Sequence, residues 1–251
     1  MAQALVLPLL EAGLIAPADV RAVVASAASA ERLSTRHGLR VDTDPAAAWG
    51  APVVLLAVKP QQLETVALTA PRHQGGLLIS VLAGVTLERL QRLFPSWACV
   101  RAVPNTAALE RCALTGLAFA EAVTSDQREW VRRLFAEVGE VYDLPESQLD
   151  AFLALTSSGP AFVALVAEAL ADGAVAAGLP RALALRLAHR TLAGTAALLG
   201  GQQLHPAELK DMVSSPGGTT IAGLRRLEQA GLRSALIEAV LAAAERSRQL
   251  A

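Results

Sequence analysis

The chain has 251 residues, of which 53% are hydrophobic and 18% charged, so it can bury a large core and is unlike disordered sequences. Its formal net charge of −1, from 22 Lys and Arg against 23 Asp and Glu, argues against a nucleic-acid-binding protein. Two cysteines, Cys99 and Cys112, are too few for a disulfide-stapled secreted fold. We therefore expect a soluble cytoplasmic protein.

Two apolar stretches resemble membrane elements but lack their defining features. Residues 1–15 have no basic segment before the apolar one and contain Glu11, which argues against a signal peptide. Residues 162–179 are interrupted by Glu168 and Asp172, whereas a spanning helix needs an uninterrupted apolar run. We expect no membrane partner.

The first part of the chain alternates short apolar runs with amphipathic segments. Such runs are typical of parallel strands covered on both faces, and their alternation with helices predicts βαβ units and a doubly wound sheet. The predicted strands are residues 21–25, 53–58, 77–81, 99–103 and 140–144, and the predicted helices are residues 30–37, 60–68, 87–93 and 125–138.

From residue 145 onward the strand signals stop. The predicted helices are residues 146–154, 160–177, 181–199, 206–213, 219–230 and 232 to the end. Ala-rich helices in a small domain often bury one face against a second subunit. The sequence thus predicts an α/β domain over residues 1–144 and an all-α domain over residues 145–251.

Two motifs follow predicted strands, where ligands bind in open α/β sheets. Residues 57–61 (A-V-K-P-Q) suit a ligand-facing turn, although Pro60 also suits an ordinary start of a helix. In residues 101–106 (R-A-V-P-N-T), Asn105 and Thr106 could bond a ligand or cap the next turn.

A third motif, residues 214–220 (S-S-P-G-G-T-T), opens a predicted helix. Paired glycines allow neighbouring N–H groups to point the same way, and a helix N-terminus adds free donors and a positive dipole end. The motif exceeds what ordinary capping requires and predicts a site for a small carboxylate or phosphate. Residues 156–160 (T-S-S-G-P) open another helix, and capping explains most of that motif.

Metal and acyl-enzyme mechanisms receive no support from the sequence. The four histidines show no metal-ligand spacing, and neither a G-x-S-x-G elbow nor a Walker loop occurs. We expect no metal site.

In this order, the motifs resemble the pyrroline-5-carboxylate reductase family over essentially the whole chain. Residues 54–61 (V-L-L-A-V-K-P-Q), 79–86 (I-S-V-L-A-G-V-T), 101–106 and 156–162 support the resemblance. Residues 211–224 (D-M-V-S-S-P-G-G-T-T-I-A-G-L) match the family signature almost letter for letter. The resemblance implies a Rossmann-like domain, an all-α dimerisation domain, and a homodimer or larger assembly with the substrate site between subunits.

The activity implied is hydride transfer from NADPH, or NADH, to the C=N carbon of pyrroline-5-carboxylate, which yields L-proline. Thr220 would be catalytic, through its hydroxyl at the ring nitrogen. The implied substrate-binding residues are Ser215, Gly217, Gly218, Thr219 and Thr220. The implied cofactor-binding residues are Met1, Ala2, Ser26, Ala57, Val58, Lys59, Pro60 and Asn105.

Two departures from the family add further hypotheses. Met1 and Ala2 resemble the tail of the family's glycine loop, so the first strand and most of that loop are expected to be missing, through a misread start or a true shortening. The second hypothesis is therefore a non-catalytic dimer derived from the enzyme, and a third is a related imine or β-hydroxyacid reductase. Ser26 replaces an acid that would bond a ribose 2′-OH, which favours NADPH, with Ser29 and Arg32 as further 2′-phosphate contacts.

Overall fold

The computed structural model describes residues 2–72 and 75–250, which fall into two compact units. We call them the α/β unit, within residues 1–157 and 244–251, and the helical unit, residues 158–243. The functional division expected at residue 144 stays a prediction. The compact units divide later because residues just beyond 144 pack on the sheet of the α/β unit.

The α/β unit alternates strands and helices as predicted. Its strands are β1 (Arg21–Val23), β2 (Arg40–Asp42), β3 (Val53–Leu56), β4 (Leu77–Ser80), β5 (Ala98–Pro104), β6 (Ala113–Phe119) and β7 (Gly139–Asp143). Its α-helices are α1 (Ala2–Glu11), α2 (Ala27–His37), α3 (Leu63–Ala67), α4 (Leu87–Leu93), α5 (Ser125–Ala136) and α6 (Leu149–Leu153).

The strands form two sheets, a parallel pair β1–β2 and a five-stranded sheet in the order β3-β4-β5-β6-β7. Among residues 2–72 and 75–250, strand β1 pairs with β2 and strand β3 with β4, and no strand joins the two Rossmann-like sheets. The pairs β3–β4, β4–β5 and β6–β7 are parallel, whereas β6, which was not predicted, runs antiparallel to β5. A parallel neighbour needs a crossover of a dozen or more residues, and only eight residues, 105–112, join these two strands.

Helix capping accounts for where several helices begin. Ser26, Thr86 and Thr124 precede α2, α4 and α5, and each side chain accepts a hydrogen bond from the backbone N–H three residues on. Helix α2 ends at Gly38, whose φ of 66° is the left-handed conformation that favours glycine. The core between helices and sheet is apolar, with Leu63, Leu78, Val100, Leu117 and Leu149 fully buried.

The helical unit contains the long helices expected after residue 145. They are α7 (Gly159–Ala176), α8 (Arg181–Gly201), α9 (Pro206–Met212), α10 (Thr219–Gln229) and most of α11 (Leu232–Gln249). Its own core is small, a cluster around Ala171, Ala184 and Ala188, and large apolar side chains such as Leu165 remain exposed. The stretch Glu146–Ala176 is long and apolar enough to cross a membrane by length and composition alone.

Candidate active site

The turn that precedes helix α10 is built by backbone geometry. Pro216 and Gly217 occupy its two central positions, and the N–H of Gly218 donates to the carbonyl oxygen of Ser215 at 3.0 Å. The φ of Gly217 is 68°, as a type II turn requires at its second central position, and this conformation favours glycine. The P-G pair of the motif therefore has a direct conformational reason.

Gly218 lies close to the side chain of Ser215. A Cβ atom at this position would lie 2.4 Å from Oγ and 3.1 Å from the carbonyl oxygen of Ser215. Gly218 is also the N-cap residue of α10, and no side chain caps this helix. The hydroxyls of Ser215, Thr219 and Thr220 are therefore not used for capping, in contrast to those of Ser26 and Thr86. The Ser214 hydroxyl donates to the Lys210 carbonyl at 2.7 Å.

The first turn of α10 offers free backbone donors. The first N–H groups of an α-helix have no intrahelical partner, and the N-terminal end carries a partial positive charge. Because the Gly218 N–H is engaged in the turn and the Ala222 N–H donates to the Gly218 carbonyl, the free donors are those of Thr219, Thr220 and Ile221. This arrangement can bind a small carboxylate.

A groove of about 500 Å³ opens beside this turn. Its lining residues are Lys210, Asp211, Ser214, Gly217, Gly218, Ile221, Ala222, Leu224, Arg225 and Glu228. Glu228 accepts a hydrogen bond from Arg233 at 2.5 Å, which holds the pKa of that carboxyl below its usual value. The groove thus has an ionised acid at one side and the cations Lys210 and Arg225 among its lining residues.

The second predicted region lies at the carboxyl end of β3. Ala57 and Val58 are partly buried, Lys59 is exposed, and Pro60 begins a 3-10 turn (Pro60–Gln62). The N–H of Lys59 donates to Oε1 of Gln62 at 3.3 Å, and its carbonyl accepts from the Gln62 N–H at 2.8 Å. The strand-to-helix turn expected from Pro60 is present and leaves the Lys59 ammonium in solvent.

Asn105 follows β5 and is only 5% exposed. It is the N-cap residue of a 3-10 turn (Thr106–Glu110), but its side chain does not cap it. Oδ1 accepts from the Leu114 N–H at 3.2 Å, and Nδ2 donates to the Thr156 carbonyl at 2.9 Å. The capping alternative for Asn105 is therefore wrong.

The remaining predicted cofactor residues lie near the beginning of the chain. Ser26 caps α2 and lies 3.0 Å from the Ser29 hydroxyl, which accepts from Arg32 at 3.2 Å. These exposed donors form one cluster at the helix N-terminus. Ala2 is exposed at the start of α1, and Met1 lies outside the described residues.

Capping does not explain residues 156–160. Ala154–Ser158 is a π-helical turn, and α7 begins directly after it without a side-chain cap. The Thr156 hydroxyl instead donates to the Phe152 carbonyl at 2.8 Å. Sequence periodicity cannot distinguish one π turn from the start of a helix.

Arg101 is a structural residue that the motif analysis did not single out. It is 2% exposed, and its guanidinium lies 3.3 Å from Oε1 of Glu146 and 3.2 Å from Oδ1 of Asp150. Glu146 also accepts from the Leu87 N–H at 2.6 Å, and Asp150 from the Ser247 hydroxyl at 2.7 Å. The available signal was an arginine inside an otherwise apolar strand, which demands buried partners.

The comparisons with known proteins agree with this architecture. The family described as pyrroline-5-carboxylate reductase dimerisation matches residues 146–250, which include the apolar stretch Glu146–Ala176. The family described as NADP oxidoreductase, coenzyme F420-dependent, matches residues 1–84.

Individual relatives cover nearly the whole chain. The pyrroline-5-carboxylate reductase of Synechocystis sp. is 46% identical over 252 residues, which cover 100% of this chain and 94% of that protein. The Streptococcus pyogenes 1-pyrroline-5-carboxylate reductase structure has a TM-score of 0.90 at 28% identity and covers 98% of this chain and 95% of that one. The Plasmodium falciparum pyrroline carboxylate reductase structure, with NADP bound, has a TM-score of 0.89 at 26% identity and covers 99% and 93%.

None of these relatives supports the alternative of a non-catalytic dimer, since each is named as a reductase. The similarity to the Synechocystis protein extends over the full length of this chain and therefore includes the motif at residues 211–224. The chain belongs to the pyrroline-5-carboxylate reductase family.

Proposed function

We propose that this chain reduces 1-pyrroline-5-carboxylate to L-proline in proline biosynthesis, with NADPH as the preferred donor and NADH as a weaker one. The observation that carries the proposal is the turn at residues 215–220, which leaves the hydroxyls of Ser215, Thr219 and Thr220 and the N–H groups of Thr219 and Thr220 available for a ligand. The dinucleotide supplies the hydride. Because an iminium carbon accepts hydride readily, the protein's task is to orient the reactants and stabilise charge.

The substrate carboxylate fits the first turn of α10. The N–H groups of Thr219 and Thr220 bind its oxygens, the helix dipole favours its negative charge, and the Ser215 hydroxyl adds a donor. Gly217 and Gly218 act indirectly, since they allow the turn its conformation and its close packing.

Thr220 has the catalytic role in this proposal. Its side chain is only partly exposed and stands on the same helical turn as the carboxylate donors. The hydroxyl bonds the ring nitrogen and keeps its proton in place while the neighbouring carbon becomes tetrahedral.

The dinucleotide is held at the carboxyl ends of the strands. Ala57, Val58, Lys59 and Pro60 would line the ribose and nicotinamide side of the dinucleotide together with Asn105, and Ala2 would lie toward the pyrophosphate. The donor cluster at the start of α2 suits a 2′-phosphate. Ser26 and Ser29 supply hydroxyls and Arg32 a guanidinium, a set that would be superfluous for an uncharged ribose hydroxyl.

The assembly that we propose is a homodimer through the helical unit. Leu165 on α7 is 66% exposed, Leu183 on α8 is 40% exposed, and Leu241 on α11 is 55% exposed in the single chain. Apolar exposure of this kind is typical of an obligate interface. The proposed location is the cytoplasm, and nucleic acid and membrane have no part in this function.

The direct test is oxidation of NADPH by the purified chain with and without pyrroline-5-carboxylate. Substrate-dependent oxidation with L-proline as product is expected. The related-reductase hypothesis predicts instead that other cyclic imines or β-hydroxyacids are turned over and pyrroline-5-carboxylate is not.

A further inference from the structure

The side chain of Asn105 is largely committed to internal hydrogen bonds. Its acceptor takes the Leu114 N–H at 3.2 Å, and its amide donates to the Thr156 carbonyl at 2.9 Å. At 5% exposure it has little surface for a ligand. These contacts join β6 and the π-helical turn Ala154–Ser158 to the end of β5.

The π-helical turn needs such a partner. A π turn departs from the α-helical hydrogen-bond pattern, so a buried backbone carbonyl there must be satisfied from elsewhere. Asn105 supplies the donor for the Thr156 carbonyl, while the Thr156 hydroxyl fixes the turn from the other side through the Phe152 carbonyl at 2.8 Å. π turns of this kind occur frequently at functional sites.

The same segment is held closely against the sheet on either side of Asn105. On β6, Gly116 has no side chain, and a Cβ there would lie 2.9 Å from atoms of both Leu149 and Phe152. On β5, Arg101 stands four residues before Asn105, on the same face of the strand, and binds Glu146 and Asp150. The π turn is therefore the last of a series of contacts along residues 146–156.

We infer that Asn105 is a positioning residue, which acts through the Thr156 carbonyl and does not bind the dinucleotide with its side-chain amide. The inference rests on the proposed function, in which the end of β5 lines the nicotinamide side. The Asn105–Thr156 hydrogen bond fixes that strand end. A displacement of about 1 Å in reacting groups can cost about 10²-fold in rate, whereas the distant phosphate contacts of the dinucleotide are unaffected.

Two substitutions test this hydrogen bond and the π-helical turn that accepts it. Asn105→Asp keeps the shape and the acceptor for Leu114 but removes the donor to Thr156. Thr156→Val removes the bond to Phe152 from the other side of the turn. Thr195→Val is the matched control, because Thr195 makes the same kind of bond to the Thr191 carbonyl in α8, at 2.8 Å.

The measurements are kcat, the Kd for NADPH without substrate, and amide hydrogen exchange over residues 154–158. We expect kcat to fall about 10- to 100-fold in Asn105→Asp and at least several-fold in Thr156→Val. The Kd should change less than threefold, exchange should accelerate in both variants, and Thr195→Val should match the parent.

Two results would overturn the inference. One is an Asn105→Asp enzyme whose Kd for NADPH rises as much as its kcat falls, which would indicate direct contact. The other is a Thr156→Val enzyme with the parent kcat, whatever Asn105→Asp does. If the parent chain itself does not turn over pyrroline-5-carboxylate, the proposed function fails, while hydrogen exchange still tests the structural part.

Discussion

Two polar segments of this chain, residues 214–220 and the end of β5 at Asn105, differ in which hydrogen-bonding groups are already paired within the protein. The turn at residues 214–220 obtains its shape from Pro216, Gly217 and Gly218, and no side chain caps the helix that follows. At the end of β5, by contrast, Asn105 uses its acceptor and a donor to join neighbouring segments. Because glycine and proline shape the backbone of this turn, the hydroxyls of Ser215, Thr219 and Thr220 and the N–H groups at the start of α10 remain available for a ligand.

The largest expected effect is at the turn of residues 214–220. Thr220→Val removes the hydroxyl and keeps the size, so we expect kcat to fall by about 10²–10⁴-fold with little change in stability. Steady-state kinetics with pyrroline-5-carboxylate, together with thermal unfolding, check this. An unchanged kcat would remove Thr220 from the catalytic role.

Loss of the buried ion pairs of Arg101 should lower the free energy of unfolding. Arg101→Met leaves Glu146 and Asp150 without their buried cation, and we expect a loss of about 3 kcal/mol or more in unfolding free energy. Arg89→Met is the control, since its pair with Glu64 is solvent-exposed and such pairs contribute less than about 1 kcal/mol. Equal losses in denaturant titrations at one protein concentration would contradict the assigned role of Arg101.

A smaller effect is expected at the start of α2. Arg32→Ala should reduce the kcat/KM ratio of NADPH over NADH by about tenfold, which corresponds to about 1.4 kcal/mol for one charge-assisted hydrogen bond. Arg36→Ala removes the same charge one helical turn later and should leave the ratio unchanged. A tenfold loss in both variants would assign the preference to general charge and not to Arg32.

The smallest effect concerns the two cysteines of the α/β unit. Burial raises the pKa of the Cys99 thiol to about 11, so it stays protonated and enclosed at pH 8, whereas Cys112 is exposed. We expect one thiol to react with a maleimide in the folded protein and two after denaturation. The free energy of unfolding should fall as pH rises from about 9 toward 11, because the thiol of Cys99 loses its proton at a lower pH in the unfolded chain than in the folded protein. Rapid labelling of both thiols at pH 8 would contradict the buried placement of Cys99.

Much of the fold could be predicted because periodicity reports local structure. Helix α4 agrees residue for residue with the prediction for residues 87–93, and the helices after residue 145 are all present. Strand β6 was missed because its central Gly116 weakens the strand pattern, and that glycine is explained only by Leu149 and Phe152 packing over it. Strand β2 was missed because it is three residues long and carries Arg40 and Asp42.

Part of the candidate site could likewise be predicted from the sequence and part could not. The turn at residues 215–218 could be inferred from the P-G-G sequence, because glycine tolerates the left-handed backbone conformation that Gly217 adopts. The Thr156 partner of Asn105 and the acidic partners of Arg101 could not be predicted, since they lie 51, 45 and 49 residues away along the chain. Hydrogen bonds over such separations depend on topology, which one sequence does not specify.

The most direct test of the central claim compares two glycine substitutions in the substrate-dependent oxidation of NADPH. In Gly218→Ala the new methyl group meets Oγ of Ser215 and displaces that hydroxyl, a proposed donor to the substrate carboxylate, whereas Gly223 lies in the same helix α10 with nothing near its Cβ position. The account predicts turnover by the parent chain, a rise in the KM for pyrroline-5-carboxylate of at least tenfold in Gly218→Ala, and parent-like kinetics in Gly223→Ala. Parent-like kinetics in both variants, or a parent chain that oxidises no NADPH with this substrate, would contradict it.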